Sequence, residues 1–536
     1  MAPGGKTSPE SPTLRAAQKA LQAKDWKRLT QLVPVLQREG RWEAAEHCLQ
    51  QVLAQRADYL PAQLALAEHF LLGGRVDEAY QLTHAALALK PEHPQLLLAY
   101  ARACVGCGEV EEALAAFELA ESQPGPWQAQ AGLGFALNLA YLPDVSAEDL
   151  RQCGAEWEAR YAPPVARARP ASASSRLRIG YYSPDFRRHS LAYFLPAILE
   201  GHDREAFEIY LYSDTQLPDA MTERYRGLAD HWRDLTRSSD RQAVATMRRD
   251  GLDLLVDTSG FFGGCRPQLF AHRPAPVQAH LIGYNGTTGL SSLDYRFTDA
   301  VCEPPGTEAA SSEKLCRLEP GFHCFCPPFE TPLPALAPSV TAGHVTFGCF
   351  NHLTKLNDEV IALWAELLQR QPTSRLLLKA INLTNESTRE GLRARFQAHG
   401  VDPARIETLP GTPSQGDHLA AYARVDIALD PFPCNGTTTT LEALWMGVPV
   451  LTLPGERHSA RVSASLLQQI GLSECVATDR PDFFARAQKL ADDATTRTAW
   501  RHELRQRIQR APLGDPAQFV PRLEAAYHEM RRAAVE

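Results

Sequence analysis

The sequence predicts a helical repeat array followed by two doubly wound α/β domains, and three observations carry that prediction. Gly40, Gly74 and Gly108 recur at a spacing of 34 residues, each followed five residues later by an alanine, Ala45, Ala79 and Ala113. From Arg176 onward short apolar runs alternate with helical patterns, the signature of a parallel sheet with helices on both faces. A Pro-rich stretch of little pattern, residues 319–342, cuts that region in two. The length of 536 residues agrees, because a single core does not grow so large.

Taken in order, residues 1–12 read as a disordered tail and residues 13–161 as almost continuous helical pattern. Ala67 and Ala101 keep the same period, and Gly-x-x-x-(Glu/Ala)-Ala stands at each helix–helix turn. This resembles the tetratricopeptide repeat, whose helix pairs stack into a superhelix with a concave binding surface. Such an array binds a protein or peptide, or else serves as a homodimer surface or a rigid spacer. Residues 127–161 read as further helix capping the array, and the Pro/Ala/Ser-rich 162–175 as a linker. A first α/β domain, 176–318, offers strands at 177–182, 207–212, 252–257 and 279–283, with 194–199 in a helix. After the 319–342 connector, a second domain, 343–536, offers strands at 345–350, 375–379, 425–429 and 448–452, and closing helices at 481–510 and 517–534.

In the second domain Pro431, Pro433 and Gly436 force a turn after the strand 425–429, and Leu441, Leu444 and Trp445 fall at helical spacing behind Thr437, Thr438, Thr439 and Thr440. A helix starting in Gly-Thr-Thr-Thr-Thr presents free backbone N–H groups, hydroxyls and the positive end of its dipole, which suits a phosphate. Read alone, the same residues also serve as an N-cap closing an ordinary βα unit. Three other polar stretches, 183–190, 283–289 and 350–355, also follow predicted strands. All four lie at strand carboxyl ends, where ligands bind in such folds. Asp185 reads as the cap of the helix that follows it. Taken singly, His189 is a surface or core-bonded histidine and Lys355 an exposed helix residue.

Composition narrows the partners. A net charge of −8 and a pI of about 6.1 favour neither nucleic acid nor an anionic membrane. The amino terminus has no apolar signal region and no stretch approaches about 18 uninterrupted apolar residues, so a cytoplasmic protein is expected. Twelve cysteines spread over this length do not suggest a disulfide framework. Cys316, His323, Cys324 and Cys326 lack the Cys-x-x-Cys pairs of a zinc site and read as incidental.

Seven motifs stand in order: Tyr-x-Ser-x-Asp-Phe-x-x-His (181–189), Arg-Pro-Ala-Pro-Val-Gln (273–278), Gly-Tyr-x-Gly-Thr-x-Gly (283–289), Asp-Tyr-x-x-Thr-Asp (294–299), Phe-Asn-x-x-x-Lys (350–355), Leu-Asp-x-x-x-Cys-Asn-Gly-x-Thr-Thr (429–439) and Pro-Gly-Glu-x-x-x-x-Arg-Val-x-Ala-Ser (454–465). Together they resemble the inverting protein O-GlcNAc transferases and the related Spindly-type protein O-fucosyltransferases. The missing insertion between catalytic halves points to a compact, bacterial-type member. The resemblance implies a GT-B glycosyltransferase, two Rossmann-like domains facing a cleft. It implies transfer of N-acetylglucosamine from UDP to Ser or Thr hydroxyls of proteins held along the repeats, without a metal or other cofactor.

By position, the resemblance makes His189 the active-site histidine, acting as base or as positioner, and Lys355 the partner of the donor's diphosphate. His352 becomes a neighbouring donor contact. Cys434, Asn435, Gly436, Thr437, Thr438 and Thr439 form the phosphate turn, Glu442 holds the ribose, and Gln415 and His418 lie near the nucleobase. Gly283 and Asn285 belong to the loop near the sugar. Thr437, Gln415 and Asn285 depart from the animal enzyme, which has His, Lys and Pro there. All three bear on donor recognition, so GDP-fucose and UDP-glucose remain alternative donors, and a repeat scaffold without turnover remains an alternative function. The chemistry is consistent: no Asp-x-Asp metal motif occurs, and one lysine with a helix amino terminus can neutralise a leaving diphosphate. A histidine titrating near pH 7 can take the acceptor's proton.

Overall fold

The 34-residue period is a period of left-handed turns. Gly40, Gly74 and Gly108 have φ of +73°, +72° and +91°, a region that suits glycine, and each turns one helix into the next. In the computed structural model, which describes residues 11–166, 176–327, 331–334, 336–412 and 414–535, these turns follow α2 (Trp26–Arg38), α4 (Leu60–Leu72) and α6 (Pro94–Cys107). The remaining repeat helices are α1 (Pro12–Gln22), α3 (Trp42–Gln55), α5 (Val76–Leu89) and α7 (Val110–Ser122). Ala45, Ala67, Ala79, Ala101 and Ala113 are fully buried. Ser11 caps α1 by accepting from Leu14 N, so Ser11 and Pro12 belong to a helix and not to the expected tail. The rest of that tail, like residues 167–175 of the expected linker, lies outside the described residues.

The chain divides into two compact units, Met1–Gly132 and Leu133–Glu536. The division falls inside α8 (Gln128–Leu139), so α9 (Ala147–Tyr161), expected to cap the array, belongs with the sheets. A side chain at Gly154 of α9 would meet Thr288 O at 1.8 Å, and one at Gly289 would meet Arg151 O at 2.2 Å. Two glycines thus let helix and loop touch backbone to backbone. Glu158 fastens the contact, accepting from Ser291 N (2.7 Å), Ser291 Oγ (2.6 Å) and Ser292 N (3.0 Å).

Two parallel sheets follow. The first contains β1 (Leu177–Ser183), β2 (Phe207–Ser213), β3 (His231–Asp234), β4 (Leu254–Asp257), β5 (Val277–His280), β6 (Tyr295–Thr298) and β7 (Lys314–Arg317), in the order β3-β2-β1-β4-β5-β6-β7. The second contains β8 (Thr346–Cys349), β9 (Arg375–Lys379), β10 (Ile406–Leu409), β11 (Ile427–Leu429) and β12 (Val450–Leu451), in the order β10-β9-β8-β11-β12. Each order reverses direction beside its first strand, at β1/β4 and at β8/β11. Such reversals open the crevices in which doubly wound sheets hold ligands.

Four strands went unread in the sequence for a common reason. β3, β7 and β10 are short, partly exposed and near sheet edges, and β6 carries Arg296, so none shows an apolar run. β5 starts two residues earlier than expected and ends three earlier, because Ile282 (φ +63°) and Gly283 (φ +91°) leave the sheet. The helix expected over 481–510 is two, Arg480–Asp492 and Ala494–Arg510, since Asp493 accepts from Thr496 N and starts the second. The connector is also less featureless than its composition: Phe322, His323, Cys324 and Phe325 are buried, and Ser339–Ala342 is a short helix. The twelve cysteines form no disulfide. Among the described residues, no helix is long and apolar enough to cross a membrane.

The helix Pro516–Val535 returns to the first sheet. Tyr527 and Tyr181 share a hydroxyl–hydroxyl bond of 3.0 Å, Glu524 pairs with His202 at 2.9 Å, and Arg531 pairs with Asp253 at 3.0 Å. Arg296, buried in β6, pairs with Glu303 at 2.7 Å and donates to His458 Nδ1 at 3.0 Å. Burial pushes the Glu303 carboxyl up, but His458 and Arg296 outweigh it and hold the pKa at about 2. A depressed carboxylate stabilises the fold above its unfolded value near 4.5 and loses that contribution as pH falls toward 2. Glu303→Gln should therefore lower unfolding stability at pH 7 by an amount on the order of 3 kcal/mol. In urea titrations the deficit against wild type should shrink between pH 4.5 and pH 2, and a constant deficit would refute the ion-pair account.

Candidate active site

Lys355 and the threonine turn follow β8 and β11, the strands that flank the crevice of the second sheet. Lys355 ends a 3-10 turn, Leu353–Lys355, and its Nζ donates to Asn435 O at 2.7 Å and to Asn351 Oδ1 at 3.2 Å. Burial lowers its pKa, against the opposing pull of Cys434, Asp430 and Cys349. The turn after β11 is braced from below: Asp430 accepts from Gly436 N (2.8 Å) and Thr452 Oγ1 (2.7 Å). Asn435 Nδ2 donates to Pro431 O at 2.9 Å. A side chain at Gly436 would sit 2.7 Å from Thr440 Oγ1 and 3.2 Å from Thr440 N, crowding the start of the helix Thr438–Trp445.

No side chain caps that helix. Thr437, Thr438 and Thr439 are half-buried at its mouth, whereas Thr440 is buried and bonds Ser463 Oγ at 2.9 Å. The simple capping reading of the threonines therefore does not hold, and Lys355 reaches the residue two places before the helix mouth, Asn435. One turn further, Glu442 is buried with both oxygens engaged. Oε1 accepts from Tyr193 OH (2.7 Å) and Gln415 Nε2 (2.9 Å), and Oε2 faces His418 Nε2 at 3.0 Å. Lys379 Nζ lies 2.7 Å from His418 Nδ1. An ammonium only donates, so Nδ1 accepts and Nε2 carries the proton toward Glu442. Gln415 also donates to Tyr193 OH.

The first sheet contributes from the ends of β1 and β5. His189 opens the 3-10 turn Ser190–Tyr193, and its Nδ1 accepts a long bond of 3.4 Å from Leu191 N. His189 is therefore its own turn's cap, and Asp185 is not: Asp185 pairs with Arg187 at 3.0 Å and lies 3.9 Å from His189 Nδ1. Desolvation lowers the His189 pKa, Asp185 opposing and Arg187 adding to it, although the side chain keeps 39% of its surface open. His352 is solvent-accessible, yet the protein around it lowers its pKa, with Lys355 adding to that effect. Asn285 Nδ2 donates to Thr437 Oγ1 at 3.0 Å, a direct bridge from the first sheet's loop to the helix mouth.

Two expected site residues are engaged with the protein itself. Cys434 is buried beside Ala140 and Leu150, and its thiol donates to Ala140 O at 3.1 Å. Gly283 serves the backbone: with φ +91°, a side chain there would lie 2.4 Å from Thr258 O. Three residues of the cluster were not singled out in the sequence, Tyr193, Asn351 and Lys379. Asn351 lies inside the Phe-Asn-x-x-x-Lys motif, and Lys379 is the one charge at the carboxyl end of a buried strand, so both carried a signal. Tyr193 had none, because its role depends on the second sheet. Among the described residues, no group of three or more His, Cys, Asp or Glu is placed to hold a metal.

The arrangement offers a lysine, an uncapped helix amino terminus and a buried carboxylate one helical turn apart, which suits a nucleoside diphosphate. A model of glycosyl transferase family 41 matches residues 159–325 and 339–523, and a tetratricopeptide repeat model matches 72–131. A probable UDP-N-acetylglucosamine–peptide N-acetylglucosaminyltransferase SPINDLY of Petunia hybrida is 38% identical over 361 residues, covering 67% of this chain and 39% of its own length. The counterpart from Arabidopsis thaliana is 37% identical over 358 residues, covering 66% of this chain and 39% of its own length. This chain thus spans about two fifths of the curated relatives it matches. A solved structure of a Thermobaculum terrenum O-GlcNAc transferase mutant superposes with a TM-score of 0.88 at 34% identity, covering 99% of both chains.

Proposed function

The chain belongs to glycosyl transferase family 41, and from that premise we propose that it transfers N-acetylglucosamine from UDP-N-acetylglucosamine to serine or threonine hydroxyls of proteins, with inversion at the sugar carbon. The observation that carries this reading is the meeting of Lys355 with the uncapped mouth of the helix Thr438–Trp445. In the reaction the bond from the anomeric carbon to the diphosphate breaks, and its electron pair leaves with the phosphate. The acceptor oxygen bonds to the opposite face of that carbon. Lys355 and the first-turn amides of Thr438 and Thr439 take up the charge that develops. Glu442 holds the ribose, and Gln415 and His418 border the base.

His189 has the role of positioner. Its Nδ1 accepts from Leu191 N, which places the neutral ring's proton on Nε2, so the ring donates a hydrogen bond. The hydroxyl proton goes to solvent or to the leaving phosphate. Acceptor polypeptides run along the repeat unit, which carries a groove of about 440 Å³ lined by Leu64, Leu98 and Trp127 and by Glu68 paired with Arg102.

A second reading keeps the chemistry and changes the donor. Asn285 and Thr437, both departures from the animal enzyme, bond each other, and Gln415, the third departure, donates to Glu442 at 2.9 Å. A panel of UDP-N-acetylglucosamine, UDP-glucose and GDP-fucose, assayed for binding and hydrolysis in EDTA, separates the readings. Preference for the first donor is the expected result. A preference for GDP-fucose moves the assignment to fucosyl transfer, and no response to any donor leaves a scaffold.

A further inference from the structure

His280 ends β5 with 1% of its surface exposed. Its Nδ1 lies 2.8 Å from Asp257 Oδ2 and its Nε2 3.1 Å from the Tyr284 carbonyl oxygen. Asp257 also accepts from Ser259 N at 3.0 Å and Gly260 N at 2.8 Å, so it behaves as a carboxylate, and a carbonyl only accepts. Both ring nitrogens therefore donate, and the ring is held as a two-headed donor between a carboxylate at the end of β4 and a loop carbonyl. The loop needs holding: Ile282 has φ +63° and Gly283 +91°, two successive left-handed residues of which one is β-branched.

The Tyr284 carbonyl and the Asn285 amide belong to one peptide plane, so a bond to that oxygen fixes the plane from which Asn285 springs. Asn285 in turn bonds Thr437 at the helix mouth. We propose that His280, braced by Asp257, is a positioning residue for the donor site: it fixes the left-handed turn so that Asn285 stays on Thr437 and shapes the diphosphate end of the pocket. The consequence for nucleotide binding rests on the donor-site reading given above. The positioning itself does not.

The test uses the full chain with His280→Leu, His280→Gln, Asn285→Ala and the double variant His280→Leu/Asn285→Ala, all checked for an unchanged far-ultraviolet spectrum. Gln keeps a donor near the Nε2 position, and Leu keeps none. Hydrogen–deuterium exchange needs no nucleotide. His280→Leu should speed exchange both in 281–289 and in 436–441, and His280→Gln should restore wild-type exchange. Wild-type exchange at 436–441 in His280→Leu overturns the proposal, as does failure of His280→Gln to restore it. Calorimetry with UDP then reads the consequence. His280→Leu and Asn285→Ala should each weaken UDP about tenfold and the double variant no further, because both act through one contact. Fully additive losses would overturn the shared route. If wild type binds no UDP, the donor-site reading falls, while the exchange result still decides the positioning.

Discussion

Replacing Lys355 by alanine should lower turnover about 100-fold or more while the fold stays intact. The ammonium is held by Asn435 O and Asn351 Oδ1 at the crevice between β8 and β11. Without it the helix amino terminus alone meets the leaving diphosphate, at a fraction of a charge. The loss should fall mainly on kcat, since charge develops on the phosphate as the bond breaks. Stability should change little. Two hydrogen bonds are lost, but burial already lowers the lysine's pKa, so removing the charge relieves a desolvation cost that offsets them. Single-turnover rates with saturating donor check the prediction, and a rate within about threefold of wild type would remove Lys355 from the catalytic machinery.

The second large effect is structural. Gly154→Ala should destabilise the protein by about 3 kcal/mol, because the new methyl meets Thr288 O at 1.8 Å and Gly289 Cα at 3.0 Å. Both neighbours are backbone, so no rotamer change relieves the clash and α9 must retreat. Retreat breaks the three bonds from Ser291 and Ser292 to Glu158 and disturbs the loop whose Thr288 N and Oγ1 donate to the buried Glu313. Since that loop also carries Asn285, nucleotide affinity should fall along with the melting temperature. Gln152→Ala, on the exposed side of the same helix, is the control and should match wild type. A Gly154→Ala variant as stable as that control would show that the helix has room the geometry denies.

The sequence made visible whatever depends on local pattern. The repeats were legible because a left-handed glycine and a buried alanine recur at fixed spacing. The threonine turn, Lys355 and His189 were legible because motif order places them after strands. What stayed hidden depends on distant partners. Asp185 looked like a cap until Arg187 claimed its carboxylate. Cys434 sits inside the Cys-Asn-Gly motif, yet its thiol bonds Ala140 O, and no local rule foretells that partner. The Glu442 cluster draws Tyr193 from one sheet and Gln415, His418 and Lys379 from the other, so its membership follows from how the sheets meet. The end of α8 and all of α9 read as more repeat because helical periodicity says nothing of which core a helix serves. Only Gly154 facing Gly289 decides that.

The helix Pro516–Val535 has a consequence for the order in which the protein can mature. Tyr527 and Tyr181 are 346 residues apart in sequence, and Glu524 and His202 are 322 apart. On a ribosome adding about 5–20 residues per second, the first sheet emerges tens of seconds before the helix that covers Tyr181, Phe207 and Val520's neighbour Gly201. During that interval an apolar face stands open on the nascent chain. The first sheet therefore completes its covering only once residue 535 has been made, so its final packing waits on the second half of the described residues.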